Sequence, residues 1–229
     1  MKQTLSEKVF CHVVEHIRQG RLRPGVKLTE QEISEELSVS HVPVREAMER
    51  LHREGWIDRF PHKGAFVKPC SSNDINEMCQ IREIIETACM HIVARNINHE
   101  QLNKLREVVE QIESAYETKN SDLYEQADAQ FHALLVHFLG NKRLEEFFQR
   151  IIFQGRNFLY ASAIQAFLNF GENTASNGKK DGHREIYEAL ASGEAEKAEE
   201  LLKTHMEQGC QMLLIMNKAR EVLSGDVCQ

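Results

Sequence analysis

Residues 29–67, TEQEISEELSVSHVPVREAMERLHREGWIDRFPHKGAFV, carry the pattern that decides the fold of the first part of the chain. Ile33 and Leu37 lie four apart on one helical face, and Ser38-Val39 follow as a turn. Ser40 stands at the start of a second helix, where its hydroxyl is expected to accept a hydrogen bond from a first-turn amide. Pro43 falls early enough that its missing N–H had no helical partner to lose. Val44, Ala47, Met48 and Leu51 then repeat at helical spacing, which buries one stripe and leaves Arg45, Glu49 and His52 on other faces. Trp56, Ile57 and Phe60 lead through Pro61-His62-Lys63-Gly64 into Ala65-Phe66-Val67, a two-stranded wing with a glycine where the chain reverses. Helix, turn, second helix and wing together form a layout suited to holding duplex DNA.

Charge is distributed in keeping with that reading. The 229 residues carry a net charge of −7, which argues against nucleic acid if taken whole. Residues 1–70, however, hold 12 Lys and Arg against 10 Asp and Glu, so the acidic excess lies in the remainder. A head of +2 is only weakly basic, and useful affinity is expected to need two heads bound at once, with a steep loss in salt. The length suits one large or two small domains, each able to bury a core.

Cys11, Cys70, Cys79, Cys89, Cys210 and Cys228 include no CxxC pair, which argues against a thiolate zinc site or a redox dithiol. No signal peptide pattern and no apolar run of membrane-spanning length are found, so a cytoplasmic, reducing location is expected, with no membrane partner and the cysteines as reduced packing residues.

Lys68-Pro69-Cys70-Ser71-Ser72-Asn73 reads as a hinge. The expected division is a winged helix-turn-helix domain over 1–69, a linker over 70–74 and a helical domain over 75–229. Beyond the hinge the periodicity predicts helices near 74–95, 99–117, 121–139, 142–165, 181–191 and 195–222, with an irregular loop over 171–180. The fold class is therefore mainly α: a winged head of three helices and a small hairpin, joined to an antiparallel bundle of about six helices.

Four polar residues fall at inward positions of that bundle. Asp128 and His132 lie four apart beside Phe131, Leu135 and Phe138. His205 is in register with Ala198, Leu201, Leu202, Met212 and Met216, and His183 opens the preceding helix. One carboxylate and three imidazoles converging in a bundle suit a transition metal with a position left for water or an anion; a single buried histidine is more often a hydrogen-bonded structural residue than a ligand.

PVREAMERLHREGWI followed by HKGAFV resembles the winged helix-turn-helix of GntR-type bacterial transcription regulators, with Pro24-Gly25 and Leu28 as the usual lead-in. The resemblance covers about sixty residues in order, and it assigns DNA contact to Gln31, Ser40, His41, Arg45, Lys63 and Gly64. Gln31 and His41 depart from the pattern, since relatives often carry Arg there; the bland reading of Arg45 is an ion pair with Glu49. DAQFH at 128–132 and GHREIYEALASGEAEKAEELLKTHM at 182–206 resemble the FCD effector domain of the fatty-acid-regulator (FadR-type) branch of that family. There Asp128, His132, His183 and His205 correspond to the metal ligands.

The resemblance also implies an effector contact for Arg82 in IREIIE. Arg156 is a second candidate cation, and pairing with Glu86 or another acid on a solvated face is the alternative for both. His91, His99 and His137 are expected at surface or packing positions. The implied protein is a homodimeric, ligand-responsive regulator of operator DNA, not an enzyme, taking a divalent transition metal, zinc foremost with nickel, manganese or iron as alternatives, and a small carboxylate effector. Two other readings stand beside it: a metal-dependent hydrolase or lyase with an accessory first domain, and a regulator whose metal is purely structural. The first lacks a glutamate motif beside the histidines, a nucleophile elbow and a phosphate loop. Effector, operator and sign of regulation are not legible in the chain.

Overall fold

The structure is a computed structural model and describes residues 3–18, 21–69, 71–156 and 182–224; the side chains of 152–156 and 219–224 lie outside that description. It forms two compact units, the first built on the residues up to 69 and the second beginning at Ser71.

In the first unit α1 (Leu5–Arg18) precedes a two-residue strand β1 (Lys27–Leu28), then α2 (Glu30–Leu37), α3 (His41–Arg53), β2 (Ile57–Phe60) and β3 (Gly64–Val67). Thr29 caps α2, its side chain accepting from the Glu32 amide at 3.2 Å. The helix stops at Ser38, which takes a left-handed φ of 53° so that its amide and that of Val39 return to Glu35 and Ser34 carbonyls. Ser40 does open α3, in extended conformation, yet its side chain makes no capping bond; the hydroxyl expected to satisfy the first turn remains exposed. Val44, Ala47, Met48 and Leu51 bury the stripe foreseen for α3 against Val9, Phe10, Val13 and Ile17 of α1, Ile33 of α2 and Trp56. Arg50 lies over the Phe10 ring at 3.8 Å and pairs with Glu7 and Glu54, fastening α1 to α3.

The wing has three strands rather than two. β3 lies in the middle, antiparallel to both neighbours, with Lys27 opposite Phe66 and Phe60 opposite Gly64. A two-residue strand has no period to read, which is why β1 escaped the sequence. The reversal itself is made by His62 at φ 63°; Gly64 at φ 109° begins β3, where a Cβ would meet Lys27 Cε at 2.9 Å.

The second unit contains, among its described residues, α4 (Ser72–Val93), α5 (His99–Glu117), α6 (Ser121–Phe138), α7 (Lys142–Arg156), α8 (His183–Ala191) and α9 (Ala195–Ser224). The expected helices agree closely with these, and the stretch expected to continue α7 to 165, together with the 171–180 loop, lies outside the described residues. α4 starts earlier than periodicity suggests, because Ser71 and Asp74 form a reciprocal capping box. α4 packs on α9, α5 on α6 and α8, and α9 on α8, around Ile75, Met90, Leu105, Ile112, Phe131, Leu135 and Ile186. On α9 the buried register runs through Ala198, Leu202, Met206, Leu213 and Asn217, whereas Met212 and Met216 are half-buried. Asn217 donates to Ser72 Oγ at 3.1 Å, so the polar core position ties α9 to the first turn of α4.

Of the cysteines described, Cys89 is buried, Cys79 and Cys210 are half-buried, and Cys11 is exposed, so Cys11 is not the packing residue expected. Cys70 and Cys228 lie outside the described residues.

Candidate metal centre and reading surface

Three helices build the centre. α6 is held by Asn120, which accepts from the Leu123 amide, and it turns Tyr124, Ala127, Asp128, Phe131, His132 and Leu135 inward at successive 3- and 4-residue steps. α8 begins at His183 because Gly182 caps it with φ 90°, a left-handed conformation that ordinary side chains resist. Arg184 then pairs with Glu113 of α5 through Nη2–Oε2 at 2.5 Å, pinning the first turn of α8 and with it the His183 ring. α9 supplies His205.

Asp128, His132 and His183 are buried and His205 is half-buried. One donor atom from each lies within 4.8 Å of all the others. His183 Nε2 is 3.4 Å from Asp128 Oδ1, His132 Nε2 is 3.7 Å from the same oxygen, and the Nε2 atoms of His132 and His205 are 3.3 Å apart. Metal–ligand bonds of about 2.0–2.1 Å place tetrahedral ligands roughly 3.3–3.4 Å from one another, so these separations fit the edges of a coordination shell after small side-chain shifts. Three nitrogens and one carboxylate oxygen are a borderline donor set, suited to zinc, nickel, iron or manganese. The cluster can hold a metal ion, and its residues fit one. Burial alone would raise the Asp128 pKa; hydrogen bonding to His132 and His183 and the charge of those rings outweigh it and hold the carboxyl well below its ordinary range.

Behind His132 stands a residue that sequence reasoning placed only as a pairing partner. Glu86 of α4 is 0 % exposed, and its Oε2 accepts from His132 Nδ1 while Oε1 accepts from Arg82 Nε at 2.9 Å. That bond fixes the tautomer, leaving Nε2 to face Asp128 and His205, and a carboxylate behind a ligating imidazole also raises its basicity. Burial would raise the Glu86 pKa, but His132 and then Arg82 reverse the sign and lower it, so the group is an anion. A signal was available: Glu86, Cys89, Met90 and Val93 occupy one i, i+3, i+4, i+7 core stripe, and a carboxylate there demands a partner.

Arg82 pairs with Glu86 in a half-buried setting rather than on a solvated face; its Nη2 also approaches Met206 Sδ at 3.7 Å. Arg156 ends α7, and its side chain lies outside the described residues. His91 and His137 are exposed and pair with Glu199 and Glu145, and His99 is exposed at the start of α5, so of the surface or packing positions expected all three are at the surface.

In the first unit all six candidate contacts, Gln31, Ser40, His41, Arg45, Lys63 and Gly64, are exposed. Arg45 does not pair with Glu49. It reaches back to Glu30 of α2, Nη2–Oε2 3.2 Å, and Glu49 pairs with Arg59 instead. Val42, 66 % exposed beside His41, is a large apolar side chain on the surface at the start of α3.

A winged head that presents its second helix, followed by a helical unit with a buried His/Asp centre, defines a DNA-binding regulator with a sensor domain. Residues 5–67 match the model of bacterial regulatory proteins of the gntR family, and residues 77–208 match the FCD domain. The chain belongs to the GntR family of transcription regulators and carries an FCD domain; the family is one of regulators, not of enzymes. It is 25% identical over 197 residues to the HTH-type transcriptional regulator YdhC of Bacillus subtilis (strain 168), covering 85% of this chain and 84% of that one. A Paenarthrobacter nicotinovorans protein whose name assigns it to repression of a D-xylose utilization operon is 26% identical over 205 residues, 90% of this chain and 87% of its own. A GntR-type structure from Rhodococcus sp. RHA1 superposes with a TM-score of 0.70 at 25% identity, covering 91% of this chain and 97% of the other. Among the described residues no helix is long and apolar enough to cross a membrane.

Proposed function

We propose that this chain is a cytoplasmic, ligand-responsive regulator that binds operator DNA as a homodimer, its affinity set by a small carboxylate acting at a metal held by Asp128, His132, His183 and His205. The convergence of those four groups from α6, α8 and α9 carries the reading. Zinc is the first choice for the donor set, with nickel, manganese and iron as alternatives. Bound there, a divalent ion supplies a Lewis-acidic position that a carboxylate can take. The domains divide at 1–69 and 75–229, with the hinge between them.

On the DNA side, Arg45 and His41 reach base edges from α3, Ser40 and Gln31 hold phosphate or neighbouring bases, and Lys63 with the close-approaching Gly64 backbone holds the flanking groove. On the sensor side, Arg82 meets the effector directly or answers it through Glu86, and Arg156 is a second candidate cation. An apolar stripe on α4, Ile81, Ile84, Ala88 and Ile92, is exposed in the single chain, with Ile84 71% exposed; the second protomer is the natural cover for it. Two heads then meet two half-sites, so a small change in their separation alters affinity without altering a base contact. The named role of the Paenarthrobacter relative suggests control of a catabolic operon.

Measuring operator binding and metal content for Arg45→Ala and His132→Ala tests this. Sequence-specific binding that survives Arg45→Ala at moderate salt sinks the assignment of α3; full metal occupancy and unchanged effector response in His132→Ala sink the site. The burial of Asp128, His132 and His183 favours a second reading, a purely structural ion. In that case metal removal unfolds the helical unit, and no organic acid in a thermal-shift screen changes DNA affinity.

A further inference from the structure

A second group of metal-ligating side chains lies in the first unit, unconnected with the FCD centre. His12 and His16 stand four apart on α1 and share a face, and Glu36 of α2 reaches across to them. His12 Nε2 is 3.1 Å from Glu36 Oε1, His16 Nδ1 is 4.0 Å from the same oxygen, and the two ring centroids are 4.0 Å apart. One donor atom from each residue lies within 4.8 Å of the others. The three line a cavity of about 250 Å³ together with Val13, Leu28 and Ile33. An ion there would have apolar walls on one side and water on the other, since both histidines are half-buried and Glu36 is exposed.

We infer that His12, His16 and Glu36 form a second transition-metal site, a two-histidine, one-carboxylate site that joins α1 to α2 within the reading head and takes a borderline divalent ion such as Zn²⁺, Ni²⁺ or Cu²⁺. Three protein ligands leave positions for water, the arrangement that imidazole-rich open sites give these ions. Arg21 Nη1 donates to His16 Nε2 at 3.4 Å, which leaves the hydrogen on Nδ1. An ion taken by Nδ1 moves that hydrogen to Nε2 and releases Arg21 to water, a small cost for an exposed contact of this length. The link matters because α2 also carries Glu30, which holds Arg45 on the reading helix. An ion bridging α1 and α2 thus fixes the helix against which Arg45 is parked.

The test uses the full-length chain, first stripped with chelator and then titrated with Zn²⁺ under equilibrium dialysis. Wild type should take two ions per chain, His12→Gln/His16→Gln one, and His132→Ala one. Glu36→Gln, which removes a single exposed charge, should weaken the second ion without disturbing the helical signal in circular dichroism. Cu²⁺ gives an independent readout: the single tryptophan, Trp56, lies in the core of the head, and its fluorescence should be quenched more strongly in wild type and His132→Ala than in His12→Gln/His16→Gln. The inference is overturned if His12→Gln/His16→Gln retains both ions, or if the second ion binds wild type more weakly than about 1 mM, where scattered surface histidines suffice. It is also overturned if Cu²⁺ quenching is the same in all three proteins. Loss of the ion only in His132→Ala would refute this site and leave the FCD centre standing, whereas the reverse pattern would do the opposite.

Discussion

Replacing Glu86 by Gln isolates the contribution of the residue behind the metal centre. Glu86 accepts from two donors at once, Arg82 Nε–H on one oxygen and His132 Nδ1–H on the other. A glutamine of the same shape has one acceptor oxygen and one NH₂. Whichever way it is flipped, its NH₂ faces a donor, so one of the two partners loses its acceptor in a fully buried position. Leaving such a group unsatisfied costs about 1–3 kcal/mol, and the half-buried Arg82 charge loses its counter-ion besides. For the metal, losing the acceptor behind a ligating histidine lowers affinity about 10–100-fold, which is about 1.4–2.7 kcal/mol. The chain should remain folded, because no volume is lost. Competition of the chelator-stripped protein against a chromophoric chelator at neutral pH measures the affinity, and urea unfolding of the same sample measures stability. Affinity within about twofold of wild type, with stability down by the expected amount, would show that Glu86 stabilises the bundle without orienting His132. The tautomer argument would then be wrong.

Gly182→Ala should destabilise the second unit by about 1–2 kcal/mol and weaken metal binding, since the φ of 90° is strained for alanine while the new Cβ meets only His205 atoms at ordinary contact distance. Thermal unfolding with and without metal checks it, and an unchanged metal affinity would mean that the α8 cap does not set the His183 position. The metal-free protein should lose stability at acid pH. Asp128 and Glu86 have folded-state pKa values below their unfolded ones, so the stability they contribute is present above about pH 4.5 and drains away as pH falls through and below about 4. Urea midpoints for wild type and Glu86→Gln should therefore converge as pH drops below that range, and a gap that stays constant to pH 3 would refute the assignment.

The legible parts of this molecule are those with a period. The α3 stripe of Val44, Ala47, Met48 and Leu51 and the i, i+4 pair Asp128 and His132 could be placed before any coordinates, because helical spacing alone says which side chains share a face. What escaped were relations across elements. Nothing local in IREIIE says that Glu86 meets a histidine 46 positions later, and nothing in Lys27-Leu28 announces a strand until β3 is there to pair with it. Arg45 illustrates the same limit: helical spacing offered Glu49, and tertiary packing brought Glu30 nearer. The Ser40 hydroxyl failed for a different reason, since an N-terminal residue of the preferred type still needs the rotamer that turns its oxygen back to the helix.

The order of the parts along the chain has a consequence for protein synthesis. Every residue of the winged head has left the ribosome before Asp128 is made, and His205 is made later still. N-terminal units generally fold first as a chain grows. The head thus exists before the Asp128, His132, His183 and His205 cluster is complete, and a chain stopped ahead of Gly182 keeps the head with only two of those four side chains. On the proposed reading, such a fragment keeps the helix-turn-helix but loses α8 and α9, and with α9 the helix on which α4 packs, so the head would be left without the intact helical unit that pairs it with a second head.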